Sequence, residues 1–165
     1  MPNIAIRFAA AEDVGLLLQM IRELAAYEKL ADRVMASEAD LRHYGFGRER
    51  RFEALIASLD GEPVGFALFL PVFSTFSGRP GLFLEDLYVR ERARGHGVGR
   101  RLIARLAAIA VERDCPALHF NVLTWNPAQG FYRRLGFAAH DEWRPWGAAG
   151  EAVRRLARED REDGG

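Results

Sequence analysis

Residues 92–102 read RARGHGVGRRL, three glycines and four arginines around one histidine, directly after an apolar run and directly before a helical pattern. Glycine is, after proline, the poorest helix former, so three of them in five positions at the mouth of a helix need a reason. From Gly97 to about Arg113, Val98, Leu102, Leu106, Ile109 and Ala110 recur at helical spacing while Arg100, Arg101 and Arg105 fall elsewhere. The glycines therefore sit in the first turn of an amphipathic helix. A strand-to-helix junction leaves backbone N–H groups without intrahelical partners beside the positive end of the helix dipole, and glycine lets an anion approach them. The spacing of Gly95, Gly97 and Gly99 is G-x-G-x-G, not the G-x-G-x-x-G of a dinucleotide site, and no Gly-Lys-Ser/Thr follows for a P-loop. What remains is an anion cradle of another kind, or a glycine-softened helix start.

Outward from this loop the chain alternates strand-like and helix-like periods, with no repeat and no Ser/Gly/Pro-rich linker, which predicts one α/β domain over 1–150. NIAIRF at 3–8 alternates as a strand, and Glu12 to about Leu30 carries Val14, Leu17, Leu18, Ile21, Leu24 and Ala25 on a helical stripe. Ser37 with Asp40 forms an N-cap arrangement for a second helix that Gly45 and Gly47 end. RFEALIASL, the turn DGEP and VGFALFLPVF make an antiparallel hairpin turning at Asp60 and Gly61, and LFLEDLYV at 82–89 is a further strand. Residues 151–165, with REDRED near the end, are expected to be a C-terminal helix or a frayed, solvated tail.

With 23 basic and 23 acidic residues the net charge is zero, so nothing in the overall field favours nucleic acid or an anionic membrane, and any anion site is local. Neither GLLLQMI nor VGFALFLPVF approaches the ~20 apolar residues of a membrane span, and MPNIAIRF does not read as a secretion signal. A cytoplasmic protein is expected. Cys115 has no partner for a disulfide and no motif around it for an acyl carrier, so it is expected to be a small buried hydrophobe. His43, His119 and His140 have no metal-ligand spacing, and no metal is expected.

Downstream, LHFNVLTWNPAQGFYRRLGF at 118–137 reads as an apolar strand ending at Trp125, a helix capped by Asn126 with Pro127 at its first position, and Gly136 just past its end. Arg94-x-x-Gly97-x-Gly99 followed by Asn126, Tyr132 and Gly136-Phe137 resembles, in order and separation, the two signatures of the GNAT superfamily of acetyl-CoA-dependent N-acetyltransferases. The resemblance implies a mixed, largely antiparallel sheet flanked by helices, with a splayed parallel strand pair that admits acetyl-CoA. It implies that Leu87, Val89, Arg94, Gly95, His96, Gly97, Val98, Gly99 and Arg100 line the coenzyme, with Asn126 meeting its pantetheine arm and Tyr132 serving as an acid. IRELAAYEKL, EADLRHYGFG, LFLEDLYV and EWR further resemble the spermidine/spermine (diamine) acetyltransferase branch. That branch implies Tyr27 and Glu28 near the acceptor, Glu85 and Asp86 on the central strand, Arg144 near the coenzyme, and a homodimer. The tail departs from it: RPWGAAGEAVRRLARED stands where the branch has a last apolar strand, and Pro145 and Gly147 weaken such a strand.

The residues carry this chemistry independently of the resemblance. An alkyl amine of pKa near 10.4 is less than about one part in a thousand neutral at pH 7, and only the neutral amine attacks a thioester, so a base is needed. LEDL supplies two carboxylates on adjacent strand positions, which face opposite ways unless a bulge re-aims one. Glu85, directly or through a water, is the candidate base, with Asp86 and Glu28 holding the amine cation; the alternative is that Glu85 or Asp86 merely pairs with an arginine. The leaving thiolate needs a proton, and the phenol of Tyr132 can give one; the alternative is a tyrosine completing the core. Trp125, Trp143 and Trp146 either wall a substrate slot, Trp125 above all, or pack in the core. The expected reaction is direct acetyl transfer to a primary amine of a diamine, polyamine or lysine-like amino acid. A protein lysine or N-terminal acetyltransferase and a non-catalytic CoA-binding sensor are the rivals.

Overall fold

The computed structural model describes residues 1–162, which fall into two compact units, Met1–Trp125 and Asn126 onward. The first unit holds a five-stranded sheet in the order β1-β2-β3-β4-β5: Ile4–Phe8, Glu53–Leu59, Glu62–Ser74, Arg79–Val89 and Leu118–His119. The first four strands pair antiparallel and β4 pairs parallel with β5, the mixed sheet expected of the sequence. At the β2–β3 turn Asp60 and Gly61 take φ of 51° and 86°, the two positive values a tight two-residue hairpin turn requires.

Both faces of the sheet are covered. Helices α1 (Val14–Tyr27) and α2 (Glu38–Phe46) pack Val14, Leu17, Met20, Leu24 and Leu41 onto Ala54, Ile56, Phe66 and Leu68. The alternate residues, Leu55, Ala57, Ala67 and Phe69, are equally buried and point the other way, toward α3 (Val98–Glu112), whose Leu102, Leu106 and Ile109 are buried in turn. The capping box of α2 is present: Ser37 Oγ accepts from the Asp40 N–H at 3.2 Å, and the Asp40 carboxylate accepts from the Ser37 N–H at 2.8 Å. Gly45, expected to help end this helix, lies inside it and is buried; a Cβ there would stand 2.6 Å from the Phe52 ring, so the glycine makes room for that ring. Gly47 ends the helix as expected. Cys115 is a free thiol, 7 % exposed, in the core.

The strand expected to run to Trp125 is much shorter. β5 makes a ladder with β4 only through Leu82 opposite Leu118 and Phe83 opposite His119. Past those pairs the two segments part, and Phe120–Trp125 has no strand assignment.

The second unit contains α4 (Ala128–Arg134), a stretch of turns and irregular backbone, and α5 (Glu151–Glu162). Asn126 Oδ1 accepts from the Ala128 N–H at 2.9 Å, and Pro127 has φ of −66°, preset for a helix start. At the other end Gly136, at φ 93°, closes a Schellman motif: its N–H donates to Arg133 O and the Phe137 N–H to Tyr132 O. No strand forms around Pro145 and Gly147. The tail is helical through Glu162, tied by Glu151 to Arg154 and Arg158 at 3.1 and 2.7 Å; the last residues of the tail, 163–165, lie outside the described residues. Among the described residues no helix is long and apolar enough to cross a membrane.

Since a side chain at φ near +86° is strained, Gly61→Ala is expected to cost roughly 1–2 kcal/mol. A urea denaturation midpoint that falls accordingly, at unchanged slope, checks the turn.

Candidate active site

The site grows from a slip in the sheet. Along β4 Leu84 pairs with Phe69, yet Asp86 pairs with Leu68, so Glu85 is an extra residue in a β-bulge. Leu82 and Leu84 lie on the α3 side with Pro71 and Phe69 opposite them. Strict alternation would put Asp86 and Tyr88 there too. The extra residue moves both to the α1 side, opposite Leu68 and Phe66. A bulge, the exception to strict alternation that the sequence left open at LEDL, is therefore present. Glu85 itself is exposed, and Asp86 is half-buried.

On the α1 side two glutamates meet the re-aimed residues, with opposite electrostatic outcomes. Glu23 takes two hydrogen bonds from Arg90, at 3.0 and 2.9 Å, and Arg90 also donates to Pro63 O. This pairing holds the Glu23 carboxyl below its ordinary range, and Tyr88 hydrogen-bonds to the same carboxylate. Glu28, at the C-terminal cap of α1, is treated differently: burial pushes its carboxyl up. Asp86 is pushed up to about 6, first by burial and then by the negative charges of Glu85 and Glu28. Glu28, Glu85 and Asp86, unlike Glu23, take part in no ion pair among the described residues. The bland expectation that Glu85 or Asp86 pairs with an arginine is not met.

The same end of β4 leads into the glycine loop. A single turn at Glu91–Ala93 follows the strand, then Gly95 and Gly97 at φ 80° and 86°, then α3. The first intrahelical bond, Arg101 N–H to Gly97 O at 3.0 Å, leaves the N–H groups of Val98, Gly99 and Arg100 without helical acceptors. A Cβ built on Gly95 or Gly97 would meet nothing within 4 Å, so the space above this backbone is open to an anion. Val98 is buried beneath the loop while Arg100 is exposed above it. Arg94 donates from Nε to Val89 O at 3.0 Å and lies over the Tyr27 ring at 4.7 Å. His96, exposed, approaches Arg94 O through Nδ1 at 3.1 Å. Leu87 and Val89, both half-buried, sit on the length of β4 that β5 leaves uncovered.

Trp125 ends the first unit, 48 % exposed, with its ring 6.2 Å from that of Tyr27 and the Lys29 ammonium 5.0 Å above its face. The sequence reading placed Tyr27 and Trp125 separately and missed Lys29. No sequence motif marks it; the structure shows it at φ 61° just past the end of α1, where glycine is usual.

In the second unit Asn126 caps α4, Tyr132 lies half-buried on it in edge-to-face contact with Phe131 and Phe137, at 5.1 and 6.2 Å, and Arg144 is exposed. Trp143 and Trp146 are exposed rather than packed in a core. Among the described residues no three His, Cys, Asp or Glu side chains group as a metal site.

Residues 18–137 match the family described as "Acetyltransferase (GNAT) family". Thialysine N-epsilon-acetyltransferase of Sus scrofa is 40 % identical over 169 residues, covering 95 % of this chain and 99 % of that protein. The spermidine/spermine N(1)-acetyltransferase-like protein 1 of Homo sapiens is 36 % identical over 139 residues, which are 79 % of this chain and 20 % of that protein. Among solved structures, an integron cassette protein from the mobile metagenome of V. cholerae aligns at TM-score 0.77 and 27 % identity, covering 93 % of this chain and 97 % of its own. On these matches and the sheet they share, the chain belongs to the acetyltransferase (GNAT) family of N-acetyltransferases.

Proposed function

We propose that the chain transfers acetyl from acetyl-CoA directly to a primary amine of a small cationic molecule, a diamine, polyamine or lysine-like amino acid. The observation that carries this reading is the group of Glu28, Glu85 and Asp86, three carboxylates in no ion pair among the described residues, beside the end of β4 past its pairing with β5. The names of the relatives, which concern thialysine and spermidine or spermine, support the same acceptor class. Enzymes of this family use acetyl-CoA as co-substrate. In this reading the backbone N–H groups from Gly95 to Arg100 take its pyrophosphate, Leu87 and Val89 meet its arm through their backbone, and Asn126 and Arg144 add contacts. A homodimer, on the family resemblance, and a cytoplasmic chain binding neither nucleic acid nor membrane, on its balanced charge and short apolar runs, complete the reading.

Asp86 and Glu28 hold the ammonium, while Glu85, exposed in the bulge, takes its proton directly or through a water. Tyr132 gives a proton to the leaving thiolate, whose conjugate acid resembles a thiol of pKa about 8.5. A second assignment of the base rests on one observation: a carboxyl near 6 is better matched to work at neutral pH than an ordinary one, and that carboxyl is Asp86. The acid limb of kcat/KM decides between them. Its loss in Asp86→Asn with retention in Glu85→Gln moves the base to Asp86.

The first test is thiol release from acetyl-CoA against diamines, polyamines, lysine analogues and peptides; activity on peptides alone would replace the small-amine reading. Gly97→Val, which fills the space above the loop, is expected to raise the acetyl-CoA Kd about tenfold or more by calorimetry on the folded variant. Tyr132→Phe is expected to lower kcat by about 10² while acetyl-CoA affinity stays near wild type, with single-turnover transfer isolating the chemical step.

Asp86→Asn separates stability from function. The folded carboxyl near 6 lies above its ordinary 3.8, so the native state holds a proton that the unfolded chain releases. Its contribution to stability is present below about pH 4 and lost as pH rises through 6. The variant is expected to melt a few degrees higher than wild type at pH 8 and no higher at pH 4. Its KM for the best amine is expected to rise about tenfold at pH 8.

A further inference from the structure

Lys29 is a cation just past the end of α1, the helix that Glu28 caps. It follows Glu28 directly, its side chain is exposed, and its ammonium lies 5.0 Å above the Trp125 ring in a cation–π contact rather than in an ion pair. Its backbone is also constrained. At φ 61° it occupies the left-handed position after α1, which glycine adopts freely and other residues rarely. The backbone bonds there are complete, since the Glu28, Lys29 and Leu30 N–H groups donate to Leu24, Ala26 and Ala25 carbonyls. The left-handed turn thus fixes where the Lys29 stem leaves the chain, and Trp125, held beside Tyr27 at 6.2 Å, fixes where its ammonium rests.

We propose that Lys29 selects acceptors that carry a carboxylate as well as an amine, favouring amino-acid acceptors over plain diamines and polyamines. The proposal rests on the small-amine reading above and deepens it. A diamine and an α-amino acid alike bring a second ammonium, which the charge of Lys29 repels. An α-amino acid of the same length brings a carboxylate that the Lys29 ammonium can pair with, while its far amine meets Glu28 and Asp86. A cation held by an aromatic face, with no carboxylate of the protein's own paired to it, keeps its charge available at low desolvation cost.

L-Lysine and 1,5-diaminopentane differ by that carboxylate alone, and L-thialysine with bis(2-aminoethyl) sulfide gives a second matched pair. The readout is the ratio of kcat/KM for amino acid over diamine in the wild type, Lys29→Met and Lys29→Arg. Lys29→Met keeps most of the stem and removes the charge. It is expected to lower the ratio about tenfold, through a higher KM for the amino acid and a lower KM for the diamine. Lys29→Arg, which keeps a cation on Trp125, is expected to retain the ratio to within about threefold. A ratio unchanged in Lys29→Met would overturn the proposal. So would equal losses for both members of a pair, which mark a purely structural role. A wild type that acetylates no member of either pair would overturn the small-amine reading and this proposal with it, whereas a wild type active on both with no Lys29 effect removes the proposal alone.

Discussion

Between Leu84 and Asp86 the register of β4 against β3 slips by one residue, and a slip of one exchanges the two faces of everything that follows. Before it, Leu82 and Leu84 belong to the apolar layer under α3. After it, Asp86 and Tyr88 face the end of α1, where Glu28 and Glu23 wait. Without the slip Asp86 would enter the α3 layer among Phe69 and Leu84, and an ionised carboxylate there would have no partner. The bulge thus serves the fold and the site together, keeping a charge out of one core face and delivering it to the rim of the other. Glu85, the residue opposite nothing, becomes the exposed member of the set.

A second constraint acts on the same strand from its other edge. Parallel ladder pairing with β5 stops at Phe83 and His119, so among the described residues β4 from Leu84 to Val89 continues past the end of its neighbouring strand on that edge. A free strand edge inside a domain invites an extended, amide-bearing partner. Directly beyond it the Gly95–Arg100 loop presents N–H groups suited to an anion. An extended arm ended by phosphates matches this succession of edge and cradle. The two features adjoin because β4 runs into α3 through a single turn.

What was legible in the sequence was local. Ser37 with Asp40, Asp60 with Gly61, and Asn126, Pro127 and Gly136 are each decided by hydrogen bonds or dihedral angles within a few residues, and each stands where the sequence put it. The helical stripes of α1 and α3 are equally local, since a period of 3.6 needs no knowledge of the partner. Decisions made by distant residues were harder to read. Gly45 looks like a helix stop until Phe52 is seen packed against it. LHFNVLTW has the pattern of a long strand, but strand length depends on a neighbour, and β4 turns away after two pairs. Two adjacent carboxylates left open whether a bulge re-aims one of them, and its presence and direction came only with the register of β3. Lys29 carried no motif at all, because its place over Trp125 joins residues far apart in the chain.

The contrast between Glu23 and Glu28 shows what the site has left undone. Both project from α1 toward the re-aimed half of β4. Glu23 has Arg90 and a carboxyl held low; Glu28 and Asp86 have no such partner and carboxyls pushed high. A chain with 23 basic residues had cations to spare for this spot. Burial of Glu28, and burial together with neighbouring negative charges at Asp86, penalise the ionised forms of these two and oppose folding. A cationic ligand reverses that penalty on arrival, so part of its affinity is relief of a cost already present in the free protein. The same relief draws Asp86 toward its ionised form as the ammonium binds. In the proposed reading such a site binds its acceptor as a cation and holds, within the same group of carboxylates, the proton acceptor that makes it a nucleophile.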